Sequence, residues 1–341
     1  MQFKMPVPTA WLDMQKGADP ASVYERALQR WQIDAQSRFD LDLGLGSKKI
    51  DPTDPSTDFT QCVTRIVAKL HERNIEPARV ALFLDEIELM MPSSSATAEE
   101  IANALKLMRT LRGLVQEDGT IALMVAGVDP AITRLSRIGT EQNPFFQLLH
   151  EVYLPPISDQ ACKQLVRNLG GLIELSYADE ALEAIAQASG GHPFFARRLC
   201  SFIYEQRKRK PGQVTLQEVR EGIEKFVVDD QYATVVDDNG LWGAEVGNAG
   251  LWGQAVARTN QRILEQLSAA DEPLSEQALT DATEAKTAAE RANRRKSLTA
   301  LERLTVVHDM PQGTAPTPVL KKITFGLFRN WIRQVHLGLD S

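Results

Sequence analysis

The chain has 341 residues, 43% hydrophobic and 24% charged, so it carries enough apolar material for folded cores, and disorder is excluded as its main state. Thirty-eight basic against 45 acidic residues give a net charge of −7, which excludes a surface that coats nucleic acid as a whole while leaving room for a local basic face. Apolar runs such as IALMVAGV at 121–128 fall well short of the roughly 20 residues that span a bilayer.

In chain order, PVPTAWLDM at 6–14 reads as a short apolar strand ending at Asp13, and Asp19-Pro20 is a helix-start signal before ASVYERALQRW. Ser37 to Thr57 has no sustained period and several Gly, Pro and Asp residues, the signature of a loop. Phe59, Val63, Ile66, Val67 and Leu70 share one helical face and lead to RVALFLDE at 79–86, a buried strand ending in two acids. A Ser/Thr-rich loop at 93–97, a helix carrying Ile101, Leu105, Met108 and Val115, and a second buried strand, TIALMVAG at 120–127, follow. After a segment with Arg134 and Arg137, HEVYLPPIS predicts a strand at 150–154 stopped by Pro155-Pro156. Strands alternating with helices over 1–157 predict an α/β fold with a parallel sheet.

From Ser158 the pattern is helical, at about 158–169, 176–189, 192–209 and 215–227, which predicts a separate helical domain over 158–228. Residues 229–254 read as a linker whose GLWG pair, at 240–243 and 250–253, tucks two tryptophans against a neighbouring domain. Residues 255–341 give three helices, two strands around a turn and a last helix, the winged-helix version of a helix-turn-helix. The N-terminal stretch has no apolar core followed by a small-residue cleavage site. Cys62, Cys162 and Cys200 form neither a metal spacing nor an even disulfide set, so a cytoplasmic setting is expected.

The strand VALFLDEIE delivers Asp85 and Glu86 to the carboxyl edge of a parallel sheet, where open α/β folds bind ligands. In nucleotide hydrolases the first acid orients Mg²⁺ and the second polarises the attacking water. The same pattern also arises where acids at a strand end simply meet solvent.

The order of parts resembles the STAND class of AAA+-related P-loop ATPases over nearly the whole chain. ALFLDEIE stands for the Walker B strand, MVAGVDP for the sensor-one position, GGHPFFARRLC for the lid motif, and TFGLFRNWIRQ for the last winged-helix helix. The resemblance implies a nucleotide-controlled regulatory switch that uses ATP and Mg²⁺ and self-associates or engages a partner protein. Asp85 would be its metal-side acid and Glu86 its water-activating acid. His192, Pro193 and Arg197 would contact the nucleotide, and Arg134 and Arg137 would be candidate arginine fingers.

No G-x-x-x-x-G-K-[ST] occurs, and GLGSKK at 44–49 opens no helix because Pro52 and Pro55 follow. By the resemblance the chain begins after the P-loop helix. In the family's strand order, 5-1-4-3-2, residues 120–126 and 150–154 would then flank the place of an absent strand. Sensor one reads Gly127-Val128-Asp129, with no amide or hydroxyl side chain, and His308 reads as wing surface. From residue 255 onward 12 basic residues meet 10 acidic ones, and Arg291, Arg294, Arg295 and Lys296 lie on the third helix, where a recognition helix contacts DNA. Two other functions therefore stand beside the switch: a catalytically inactive scaffold, and an AAA+ initiator or transposition regulator that grips DNA.

Overall fold

A computed structural model describes residues 6–16, 19–46, 48–92, 96–127, 136–231, 233–237, 240–282, 287–310 and 320–339. The chain folds as two compact units, Met1–Glu151 and Val152–Ser341.

In the first unit, β1 (Thr9–Asp13), β2 (Val80–Asp85) and β3 (Ile121–Val125) form a parallel sheet in the order β1-β2-β3. The α/β reading with a parallel sheet therefore holds. Helices α1 (Pro20–Phe39), α2 (Pro55–Glu72) and α3 (Ala98–Gln116) start where local chemistry directs them. Asp19 accepts from the Ser22 N–H and Asp54 from the Thr57 N–H, each before a first-turn proline. Thr97 and Glu100 close a capping box on α3.

The three helices share one core with a single side of the sheet, built from Ala10, Leu12, Val80, Leu82, Leu84 and Ile121. Trp31, fully buried on α1, donates its indole N–H to the Ala81 carbonyl at 2.8 Å, and Phe59 of α2 stacks on Tyr24 at 4.1 Å. On the opposite side, Trp11, Phe83 and Met124 lie in register across the strands. Trp11 is 60% exposed and Met124 61%. Among the described residues this row is largely open to solvent, whereas the usual parallel sheet is covered on both faces.

The expected strand at 150–154 does not form: the segment pairs with no strand among the described residues, and Val152 and Leu154 are 74% and 85% exposed. A strand exists only through a partner's hydrogen bonds, and Pro155-Pro156 remove two donors at its end.

The second unit has one hydrophobic core running through all its parts. Helices α4 (Asp159–Gly171), α5 (Asp179–Ser189), α6 (Pro193–Gln206) and α7 (Leu216–Phe226) are joined by two short parallel strands that the sequence did not suggest, β6 (Leu175–Tyr177) and β7 (Gly212–Val214). Two earlier two-residue strands, β4 (Arg137–Ile138) and β5 (Glu141–Gln142), form a hairpin in the first unit. The stretch 229–254 is partly helical. Trp242 is buried against Phe328 and Trp331, while Trp252 donates to the Glu245 carbonyl at 2.7 Å.

Helix α8 (Gln254–Ala269), the first strand of an antiparallel sheet, then α9 (Glu276–Ala282) and α10 (Ala288–Arg303) precede the sheet's other two strands, and α11 (Gly326–Trp331) follows them. The sheet has the order β8-β10-β9, with β8 (Leu274–Ser275), β9 (Val307–Asp309) and β10 (Leu320–Ile323). The two expected strands form, and β8 adds a third. The turn at 311–319 lies outside the described residues.

Lys321 on β10 is only 4% exposed and is ringed by Asp309 at 2.5 Å, Glu302 at 2.6 Å and Glu276 at 3.7 Å. Burial alone pulls its ammonium pKa down, but the hydrogen bonds and charges of Asp309 and Glu302 outweigh it and hold the pKa above the ordinary lysine value. A raised lysine pKa gives stability that is complete below the unfolded value of about 10.4 and is lost as pH rises through the folded one. Lys321→Met should cost about 1–3 kcal/mol at neutral pH, since the acids keep solvent access. Denaturant unfolding at pH 7 and at alkaline pH should find that difference shrinking in the alkaline range.

Candidate functional site

The acidic edge of the first unit is set by strand register. Asp13 ends β1 directly beside Asp85, which ends β2. Asp85 Oδ1 accepts from the Glu86 N–H at 3.1 Å, and Asp13 Oδ1 accepts from the Gln15 N–H at 2.8 Å. Glu86 sits at φ 56°, ψ 46°, a left-handed conformation that costs a non-glycine residue about 1 kcal/mol or more. The turn is clamped from both sides, because the Ala126 N–H donates to the Leu84 carbonyl at 2.8 Å and the Ile87 N–H donates to the Ala126 carbonyl at 3.0 Å. A Cβ at Gly127 would displace the end of the Glu88 side chain and press on Ile87 Cγ2 at 2.9 Å, so a larger first sensor-one residue would have to move both. Val128, Asp129 and Arg134 lie outside the described residues. Arg137 is exposed on β4 and donates to the Thr140 carbonyl at 3.2 Å.

Among the described residues no group of three or more acid, histidine or cysteine side chains is arranged to hold a metal ion. Asp85 with the neighbouring Asp13 thus offers at most two carboxylates, within the one or two by which Mg²⁺ is held when phosphates and waters complete its shell.

The glycine and lysine loop is committed elsewhere. The Gly44 N–H donates to Asp42 Oδ1 at 2.7 Å, Lys48 pairs with Asp58 at 2.7 Å, and Lys49 pairs with Glu25 at 3.1 Å. The next helix does not begin until Pro55.

The other candidates belong to the second unit. Pro193 opens α6 at its first turn and His192 is the N-cap without a side-chain capping bond. The His192 ring stacks on Phe195 at 4.4 Å and meets Phe325 edge-on at 5.2 Å, and its buried Nδ1 has no hydrogen-bond partner among the described residues. Arg197 is exposed and lies over the Phe194 ring at 5.5 Å.

What the sequence did not reveal is how closely β10 and its following turn approach this motif. Gly190, at φ 58°, has no room for a Cβ because the Thr324 carbonyl oxygen occupies that space, and at Gly326 a Cβ would stand 3.2 Å from Ala188. The paired glycines ahead of His192 were the available signal. On α10, Arg291, Arg295 and Lys296 are exposed, whereas Arg294 is half-buried and donates to the Glu276 carbonyl at 2.8 Å.

No family model and no curated protein matches the chain. Among solved structures it is similar to the Walker-type ATPase PABY2304 of Pyrococcus abyssi, at 10% identity and a TM-score of 0.49, covering 96% of this chain and 84% of that one. It is also similar to the Aeropyrum pernix ORC2 protein in ADPNP and ADP complexes, at 13% identity and 0.44, covering 97% and 79%. A third is the Thermotoga maritima RuvB Holliday junction branch migration motor, at 14% identity and 0.34, covering 94% and 95%. Likenesses this loose leave the fold to be argued from strand order and the function from the site.

Burial lowers the His192 pKa, and burial first, then Lys322, lowers that of His308. A depressed histidine pKa means stability that is complete above the unfolded value of about 6.5 and is lost as pH falls through the folded value. Thermal unfolding of the chain should therefore weaken between pH 7 and pH 5, and His192→Phe should flatten that slope while leaving the part due to His308. An unchanged slope would remove His192 from the acid response.

Proposed function

We propose that the chain is an AAA+-like regulatory module of the STAND type, working by nucleotide-linked conformational change and self-association. The observation that supports this reading is the parallel register that sets Asp13 beside Asp85 and ends β2 in the clamped, left-handed Glu86. On this reading Asp85 would hold Mg²⁺ through water and Glu86 would orient and deprotonate a water. The acidic edge fits that part of an ATP·Mg²⁺ site. The phosphate side does not fit: Lys48 and Lys49 are paired with Asp58 and Glu25, and the loop that carries them opens no helix. No hydrolytic step is therefore assigned to the described residues alone, and His192, Pro193 and Arg197 are proposed as lid residues of the same module.

Calorimetry of ATP·Mg²⁺ with the full chain should give binding weaker than about 1 mM, which corresponds to about −4 kcal/mol. Micromolar affinity would overturn the reading of an incomplete site. Where residual turnover is measured, Glu86→Gln should abolish it and spare binding. A chain with neither nucleotide binding nor turnover would instead be the inactive scaffold.

A second reading, DNA binding by an initiator-like or transposition-regulating protein, is favoured by the exposed Arg291, Arg295 and Lys296 on α10. If these three contact phosphates, log affinity for duplex DNA should fall with log salt at a slope of about −3. Replacing all three with serine should remove that slope, and equal binding by the variant would exclude α10 as the contact.

A further inference from the structure

We propose that residues 150–154 of one copy of the chain add as a strand to the free edge of β3 in a second copy. The acceptor is defined by main-chain direction. The Val80 N–H donates to the Thr120 carbonyl and the Ala126 N–H to the Leu84 carbonyl, so even-numbered residues of β3 face β2. Ile121, Leu123 and Val125 therefore turn their N–H and C=O groups outward, and no described strand pairs with them.

The two edges of this sheet are treated differently. On β1 the outward Thr9 N–H is taken by Asp34 Oδ2 at 2.8 Å, and Arg38 holds that carboxylate at 2.9 Å. On β3 the sequence IALMV has no charge and no proline to block pairing. Sheet edges are ordinarily protected by such residues, and an all-apolar edge without them is a template for strand addition.

The donor lies in the same sequence. His150–Leu154 is a strand-type segment with Val152 and Leu154 almost fully exposed and unpaired by any described strand. Pro155 biases Leu154 toward extended backbone, so part of the ordering cost is met before pairing. Donor and acceptor are both five residues long, about 17 Å, and three outward residues on β3 offer about six main-chain hydrogen bonds. Set beside Met124, Val152 and Leu154 continue the apolar row of Trp11, Phe83 and Met124 and cover its end.

A second copy is the occupant because every molecule carries one donor and one acceptor at equal concentration. Reciprocal exchange closes a dimer, and one-way exchange builds a chain of copies. The inference does not depend on nucleotide binding.

Sedimentation velocity of the full chain should show mass rising over a roughly hundredfold range of concentration. Val152→Lys with Leu154→Lys alters only exposed donor side chains. Leu123→Pro removes an outward N–H of the acceptor, and Met124→Lys places a charge at the same edge on an exposed side chain, which keeps the test available if the proline variant misfolds. Each variant, with its fold checked by circular dichroism, should associate at least tenfold more weakly. Mixing the donor variant with the acceptor variant should restore pairing, because the first keeps its acceptor and the second its donor. A wild-type chain that stays monomeric throughout, variants that associate as the wild type does, or a mixture that forms no complex would each overturn the proposal.

Discussion

Parallel pairing of β2 on both sides is the constraint on which the first unit depends. A central strand has all its main-chain groups satisfied, so its end is fixed in space by two neighbours rather than one. The ladder continues past β3 through Ala126, whose N–H and C=O hold Leu84 and Ile87 on either side of the acid pair. Without that clamp the left-handed Glu86 would relax toward an ordinary conformation and the two carboxylates would lose their defined relation to Asp13. The same pairing creates the weak points of the unit. Among the described residues, with the three helices in one core on one side, β3 is left with an edge that no strand pairs and the other face with a largely exposed apolar row.

The second unit is held by a different device, the close approach of backbone to glycine. At Gly190 the turn after β10 lies against the end of α5 closer than a side chain would permit, and at Gly326 it leaves only tight room beside Ala188. Phe325 then reaches His192 and Phe195 at the start of α6. Any ligand drawn to the α6 N-terminus must share that helix start with Phe325. A conformational change involving the proposed lid would have to move β10 and α11 with it, since they share one core with α5 and α6. That mechanical link rests on packing and not on charge.

Much of this was legible because local chemistry and final structure agree. Apolar runs ending in acids gave β1 and β2, Asp-Pro marked the start of α1, and the helical periods at 159–226 and 254–303 correspond to observed helices. Where sequence reading failed, one signal was local, the Asp54-Pro55 helix start, and most of the other missing information was non-local. The 37–57 loop absorbed Pro55, so α2 begins four residues before the first periodic apolar residue, Phe59. The segment 150–154 has strand composition but pairs with no described strand, and composition cannot supply that pairing. Trp11, Phe83 and Met124 are apolar residues of apolar strands and read as core. Their exposure follows from which side the helices chose, which strand pattern alone does not encode. Strand β8, of two residues, is too short to carry a period.

Energetics decide how the lysine loop at 44–49 should be regarded. Lys48 is held to Asp58 by a hydrogen bond that raises its pKa, and Lys49 to Glu25. Both lysines keep solvent contact and their pairs are screened, so a phosphate could displace either carboxylate with little loss. The obstacle lies in the backbone. A phosphate loop needs several consecutive N–H groups aimed at one point and a helix dipole behind them. Here the Gly44 N–H is spent on Asp42, the Lys48 N–H on the Leu45 carbonyl, and the nearest following helix is capped by Asp54, whose carboxylate already occupies its N-terminus. Positive charge is available at this loop, but direction is not. The clamped acids at the end of β2 therefore stand without a phosphate cradle among the described residues, which is why the proposed role rests on conformational coupling and assembly, with no hydrolytic step assigned to those acids alone.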